Sequence, residues 1–150
     1  MATVYLGLGS NLGDRRAYLK AAIQGLSRIL TDIEESSIYE TDPQYVTDQP
    51  VFLNQVVSGK TDLEPLEFLK HCQSIQTEVG RTPQTVRFGP REIDIDILSF
   101  GDVVLKTDII EIPHPRLYER LFVLVPLCEI VPNWLCPKTG KSVQDLIQKL

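Results

Sequence analysis

An α+β fold is predicted by three features of this 150-residue chain. Its hydrophobic periodicity switches between two and 3.6 residues in the order strand–helix–strand–strand–helix–strand. Proline and glycine bracket the second helical stretch, at Pro65 and Gly80. No repeat, low-complexity run or linker interrupts the pattern, so residues 1–150 are expected to form one domain.

Residues 3–9 (TVYLGLG) alternate and read as the first strand, with Gly7 and Gly9 on the face of Tyr5, open to close approach by another backbone or a flat ligand. Asn11 and Asp14 supply helix-start chemistry, and Leu19, Ala22, Ile23, Leu26 and Leu30 recur at helical spacing, predicting a helix over 14–30. Residues 33–41 form the second predicted strand, DPQYVTDQP a loop, and 51–59 the third strand. Between Pro65 and Gly80, Leu66, Leu69, Cys72, Ile75 and Val79 make an apolar stripe, with His71 beside it as a structural residue. The segment 81–91 is a loop rich in arginine and proline, followed by a strand through EIDIDIL. This order is that of a ferredoxin-like βαββαβ sandwich, helices on one face of the sheet, with a C-terminal extension. The extension comprises a short strand near 102–106, an IPHPR turn, the apolar LFVLVPLCEI and a final helix over 142–149.

Composition narrows the class. The chain is 43% hydrophobic and 23% charged, ordinary for a globular protein. It has no apolar run long enough to span a membrane and no signal-peptide start, so a cytoplasmic protein is expected. Cys72, Cys128 and Cys136 follow no metal-binding spacing and read as reduced structural thiols. A net charge of −5 argues against nucleic-acid binding.

The chemistry concentrates in RFGPREIDIDIL. Ile93, Ile95 and Ile97 alternate with Asp94 and Asp96, so both carboxylates leave the same side of a strand, roughly 7 Å apart at Cα. Charges so placed repel unless a cation sits between them, and magnesium and the neighbouring arginines are the candidates. Five of the eight arginines (Arg81, Arg87, Arg91, Arg116, Arg120) fall between residues 81 and 120, where Lys106 is the only lysine. Arginine's planar fork suits phosphate oxygens. The pattern points to an enzyme acting on a polyphosphate, with surface salt bridges to Glu92, Asp102 and Glu119 as the alternative for the arginines. GLGSNLG spaces its glycines as G-x-G-x-x-x-G, one residue too long for a dinucleotide fingerprint. Phe52 and Asn54 share a strand face and could form the floor for a flat heterocycle; the alternative is a core phenylalanine beside a solvated amide. His114 and Arg116, held by Pro113 and Pro115, are either phosphate contacts or a structural turn.

Taken together, GSNLGDR, the F-L-N strand, RFGPREIDIDIL and IPHPR followed by RLFVLVPL resemble the 6-hydroxymethyl-7,8-dihydropterin pyrophosphokinases of folate biosynthesis, over essentially the whole chain. The resemblance implies transfer of pyrophosphate from ATP to the pterin alcohol with release of AMP. It implies that Asp94 and Asp96 bind two magnesium ions and that Arg81 and Arg91 are catalytic. Thr41, Phe52, Asn54 and Phe122 would bind the pterin, with backbone from 42–45, and Gln73, Arg87, Ile97, His114 and Arg120 would bind ATP. Gln76 stands where the family often has glutamate, and Phe88 where it often has tryptophan. A monomer is expected, with ATP and the pterin as its partners and no membrane. The 81–91 and 42–50 loops are expected to order when both substrates bind.

Overall fold

The computed structural model describes residues 1–43, 48–80 and 92–150; Arg81, Arg87 and Arg91, the 81–91 loop and the 44–47 part of the 42–50 loop lie outside them, and with them the ordering expected of both loops. In chain order come β1 (Ala2–Ser10), α1 (Arg15–Leu26), β2 (Thr31–Glu35), β3 (Tyr39–Thr41), β4 (Phe52–Thr61), α2 (Pro65–Val79), β5 (Asp94–Phe100), β6 (Leu105–Lys106), β7 (Glu111–Ile112), α3 (Leu121–Ile130) and α4 (Val143–Gln148). The main sheet runs β2-β4-β1-β5, with β3 also paired to β4, and its pairs are antiparallel. α1 and α2 each carry the chain past a central strand to an edge, which is the ferredoxin-like order read from the sequence. β6 and β7 make a separate small hairpin.

β1 lies at the centre, and its Val4, Leu6 and Leu8 are buried under both long helices. α1 contributes Leu19, Ala22 and Leu26 to this core, and α2 contributes Phe68, Cys72 and Ile75. The helices meet at Gly25, where a Cβ would come within 2.8 Å of the Ile75 side chain, so only glycine allows this approach. The stripe on α2 is rotated from the predicted one. Leu66 is 42% exposed, whereas Phe68 is fully buried and meets the edge of Phe100, ring centroids 5.8 Å apart. Leu66 occupies the first turn after Pro65, ahead of the point where the helix reaches the sheet. His71 is exposed, not structural core.

Three boundaries differ from expectation because chain reversals override periodicity. α1 stops at Leu26; the N–H groups of Arg28, Ile29 and Leu30 fold back onto Gly25 and Leu26, and Leu30 reaches the core from this turn. Asp32, at φ 52°, lies in the bulge inside β2, between Thr31 opposite Lys60 and Glu34 opposite Ser58. The predicted strand over 33–41 is divided at Ser36–Ile38. Glu35 opposes Val57 while Tyr39 opposes Asn54, a one-residue shift. Ser36 fills the break by exchanging bonds with Val56: its N–H donates to the carbonyl at 2.8 Å, and its Oγ accepts from the N–H at 2.9 Å.

The sheet is covered on both faces, not on one. The C-terminal third lies over the second face, where Leu117, Val123, Leu124, Leu127, Trp134, Cys136, Val143 and Leu146 bury Val56 and Leu98. Trp134 packs edge-on to Tyr5 at 6.4 Å. α4 starts with a reciprocal Ser142–Asp145 capping box. Leu98 makes this two-sided burial possible. β1 pairs Leu6 with Ile97 and Tyr5 with Ser99, leaving Leu98 as a bulge. The extra residue resets the alternation, so Ile97 and Phe100 both enter the first core while Leu98 enters the second.

On edge strand β5, the Ile95 N–H donates to Gln76 Oε1 of α2 at 2.7 Å, and both residues are buried. A carboxylate at position 76 would accept the same bond but would add a third negative charge beside Asp94 and Asp96; the amide docks the helix without it. Replacing Gln76 by Leu leaves that N–H buried with no acceptor. Urea unfolding is expected to show a loss of about 1–3 kcal/mol, and an unchanged midpoint would mean that the bond contributes nothing to stability.

Candidate active site

The site begins with register. Gly9 of β1 stands opposite Asn54 of β4 and Asp94 of β5, while Gly7 stands opposite Val56 and Asp96. Directly opposed residues share a face. Asn54, Gly9 and Asp94 therefore form one row across three strands, and the outer two are about 10 Å apart from two inter-strand spacings. Between them Gly9 contributes no side chain. A Cβ there would lie 3.2 Å from Asn54 Oδ1 and 3.7 Å from the Phe52 ring, so the glycine makes room for side chains from β4. At Gly7 the corresponding space is taken by Leu98, 3.4 Å from a built Cβ. The close approaches expected at these glycines are made by side chains rather than by another backbone.

Thr41, Phe52 and Asn54 come together as expected. Thr41 pairs with Phe52 across β3 and β4, and Asn54 Nδ2 donates to Thr41 Oγ1. With its amide hydrogens directed toward Thr41, buried Asn54 keeps a fixed orientation. The entry to β4 is held from the far side. Asn11 is buried and donates to Gln49 Oε1 and to the Pro50 carbonyl, both at 2.9 Å; Arg15 Nη1 donates to the Val51 carbonyl at 2.9 Å. Asp14, not Asn11, caps α1, accepting from the Ala17 N–H at 3.2 Å. The G-S-N-L-G-D-R run thus fixes the strand entry next to Phe52, a role that spacing alone does not reveal.

The carboxylate end is assembled by the C-terminal third. The bulged Leu98 offers its carbonyl to the His114 N–H at 2.9 Å, which brings the IPHPR turn onto β5. Asp96 Oδ2 lies 3.9 Å from Arg120 Nη1, the aspartate side chain 37% exposed and the arginine 13%. The Arg120 guanidinium also stands over the Phe122 ring at 5.5 Å. Arg120 thereby links the predicted metal ligands to a predicted pterin residue. Burial, then the positive charges of Arg120 and Arg116, lower His114 to about 4, against smaller opposing effects of Asp94 and Glu111. His114 is therefore neutral at pH 7. Its Nδ1 accepts the Arg116 N–H at 3.1 Å, so the ring proton sits on Nε2, a donor suited to an anionic oxygen.

Other residues take plainer places. The Arg116 guanidinium pairs with Glu119 at 3.0 Å, the salt bridge held out as the alternative to a phosphate contact. The Ile97 side chain is buried in the first core, leaving its backbone on the edge strand as the part able to meet a nucleotide. Gln73 is exposed on α2, three residues before Gln76. All three cysteines are free thiols, and burial together with the Asp96 carboxylate pushes Cys72 up to about 12, which excludes it as a nucleophile.

Asp94 and Asp96 are half-buried oxygen donors on one face. Among the described residues, no group of three or more His, Cys, Asp and Glu forms a closed metal cage. Two carboxylates on an accessible face fit magnesium, which keeps water and phosphate oxygens among its ligands. Among the described residues, no helix is long and apolar enough to cross a membrane.

Residues 5–132 match the family described as 7,8-dihydro-6-hydroxymethylpterin-pyrophosphokinase. A Bacillus subtilis 2-amino-4-hydroxy-6-hydroxymethyldihydropteridine pyrophosphokinase is 51% identical over 128 residues, covering 84% of this chain and 76% of the relative. The Aquifex aeolicus protein of the same name is 44% identical over 145 residues, 97% of this chain and 90% of the relative. A crystal structure of wild-type Plasmodium falciparum HPPK-DHPS with SDX-DHP superposes with a TM-score of 0.75 at 18% identity, over 99% of this chain; this chain spans 43% of that one. At that identity the superposition bears on the fold alone.

Two expectations follow from the geometry. In an NMR titration, His114 should show a neutral ring protonated at Nε2, with a midpoint well below 6.5 and close to about 4. Because folding depresses this value, the unfolded chain binds more protons in that window; His114's contribution to stability is present above pH 6.5 and is lost as pH falls toward 4. A midpoint at 6.5 would contradict the buried, arginine-flanked setting. Gly9→Ala should displace the Asn54 amide, seen as a shifted Asn54 side-chain resonance in a chain that remains folded; an unmoved resonance would show that the row tolerates a side chain there.

Proposed function

Because this chain belongs to the 7,8-dihydro-6-hydroxymethylpterin-pyrophosphokinase family, we propose that it transfers the pyrophosphoryl group of ATP to 6-hydroxymethyl-7,8-dihydropterin across the Asn54–Gly9–Asp94 row. The row carries the reading, since it sets an amide suited to a heterocycle and a carboxylate pair suited to phosphate chemistry on either side of a position without a side chain. The enzyme is a diphosphotransferase of folate biosynthesis and releases AMP.

The pterin ring rests on Phe52 and faces Phe122. Asn54 and Thr41 read its hydrogen-bonding edge with the backbone of 42–45, and the hydroxymethyl group extends over Gly9 toward Asp94. Gln73 and the backbone of Ile97 meet the nucleotide. Neutral His114 donates from Nε2 to a phosphate oxygen, and Arg120 and Arg87 carry further phosphate charge. Arg81 and Arg91 close over the triphosphate and offset the charge that develops as the bond breaks. Asp94 and Asp96 would hold two magnesium ions, which when bound would neutralise phosphate oxygens and lower the pKa of a hydroxyl they touch. The pterin hydroxyl oxygen bonds to the β-phosphorus as its proton passes to water. The bond from that phosphorus to the α,β-bridging oxygen breaks, and AMP departs. No covalent enzyme intermediate is needed; positioning and electrostatics supply the rate. The chain acts as one domain, a cytoplasmic monomer.

With ATP, magnesium and the pterin present, the nucleotide product should be AMP, formed only when the pterin is added and matched by pterin diphosphate. ADP would mean transfer from the γ-phosphorus and a different reaction. Asp96→Ala should abolish magnesium-dependent turnover, and near-normal activity would remove the metal assignment. Arg91→Ala should lower kcat by about a hundredfold or more while leaving the unfolding midpoint unchanged; unaltered kcat would assign that arginine to a surface pair.

A further inference from the structure

Glu129 lies in the last turn of α3, and its carboxylate is engaged by the edge of the sheet. Oε2 accepts from the Ser37 N–H at 2.9 Å and from the Ser37 hydroxyl at 3.0 Å, and Oε1 accepts from the Tyr39 hydroxyl at 2.5 Å. These donors hold the Glu129 carboxyl below the usual carboxylate range, the Tyr39 bond being the largest cause. Ser37 lies inside the register shift between β2 and β3 and Tyr39 directly after it, and Ser36 beside them is bonded to Val56. The Ser36 carbonyl also receives the Gln55 amide at 2.8 Å. The break in the edge strand is therefore fixed to β4 on one side and to α3 on the other.

Each end of this link leads to the pterin site. Tyr39 opens β3 and pairs with Asn54; two residues on, Thr41 accepts the Asn54 amide. On α3, Phe122 precedes Glu129 by seven residues, close to two helical turns, so both lie on the same side of the helix. α3 contains Pro126 and therefore lacks one ladder donor. Apart from the Glu129 link, among the described residues the Arg120–Asp96 pair ties its N-cap to β5, and the rest of its packing on the sheet is through apolar contacts of Val123, Leu124 and Leu127, which are non-directional.

We propose that Glu129 is a positioning residue, setting through Ser37 and Tyr39 the separation between Phe122 and the Thr41–Asn54 pair, and so the fit of the pterin ring. This rests on the pterin-binding reading above. It differs from an ordinary surface tie in its selectivity: Asp94, Asp96 and His114 are carried by β5 and by the Leu98 carbonyl, and Arg120, at the start of α3 and paired with Asp96, is the ATP-side group that shares the helix with Phe122.

The test compares wild type, Glu129→Ala, Glu129→Gln and Tyr39→Phe for pterin KM, ATP KM, kcat and thermal midpoint. Glu129→Ala should raise the pterin KM by about tenfold and change the ATP KM and kcat by less than about twofold. Glu129→Gln, which keeps one oxygen acceptor, and Tyr39→Phe, which keeps the Ser37 bonds, should fall between this variant and wild type. An unchanged pterin KM overturns the proposal, as does a parallel rise in both KM values. If Glu129→Ala does not fold, Tyr39→Phe decides by the same criterion. Wild type without pterin-dependent AMP would remove the functional reading and this proposal together; an active wild type with an unchanged pterin KM in the variants removes this proposal alone.

Discussion

The arrangement depends on the register of β1 between its two antiparallel neighbours. Backbone hydrogen bonds fix which residues oppose one another, and a slip of one residue would send every side chain to the other face. In the register adopted, Val4, Leu6 and Leu8 enter the main core, and Gly9 falls between Asn54 and Asp94. The same ladder that buries the core therefore sets the distance between the Asn54 amide and a pair of carboxylates. Flexible side chains do not have to find this spacing, because it is built into strand separation.

The second face is used differently along its length. At one end Leu98 and Val56 are buried beneath α3 and α4; at the other Asp94 and Asp96 stay half-exposed beside Arg120. The bulge at Leu98 joins the two regions. It restores the apolar alternation for Phe100, and its carbonyl seats His114, which delivers the turn leading to Arg120 and Phe122. Packing and the candidate site share these contacts, so the C-terminal third is as much a part of the candidate site as the strand that bears the carboxylates.

Local periodicity made much of this legible in the sequence. The alternation of Ile93, Ile95 and Ile97 with Asp94 and Asp96 identifies a strand and a shared carboxylate face, and Pro65 and Gly80 mark the ends of α2. Features that depend on distant partners were not legible. Leu30 has helical spacing from Leu26, yet the chain must reverse over residues 27–30 so that Thr31 can pair with Lys60 at the sheet edge. Ser36 looks like any polar strand residue until Val56 takes it as a partner. Leu66 and Phe68 are equally apolar, and only the direction from which α2 meets the sheet chooses between them. Gln76 and Glu129 carry no motif of their own; each is defined by a partner far away in the chain, Ile95 and Tyr39 respectively. Arg116 sits beside His114 in the sequence, but Glu119 one helical turn later captures its guanidinium.

If the pterin hydroxymethyl group crosses Gly9 toward Asp94 and Asp96, a paramagnetic ion held by those carboxylates must lie nearest to that group. Manganese, an oxygen-binding and paramagnetic substitute for magnesium, tests this directly when bound with a non-hydrolysable ATP analogue and the pterin. Relaxation enhancement of the bound pterin should be greatest at the hydroxymethyl protons, and Asp96→Ala should remove it. Enhancement strongest at the ring, or equal at every pterin proton, would contradict it.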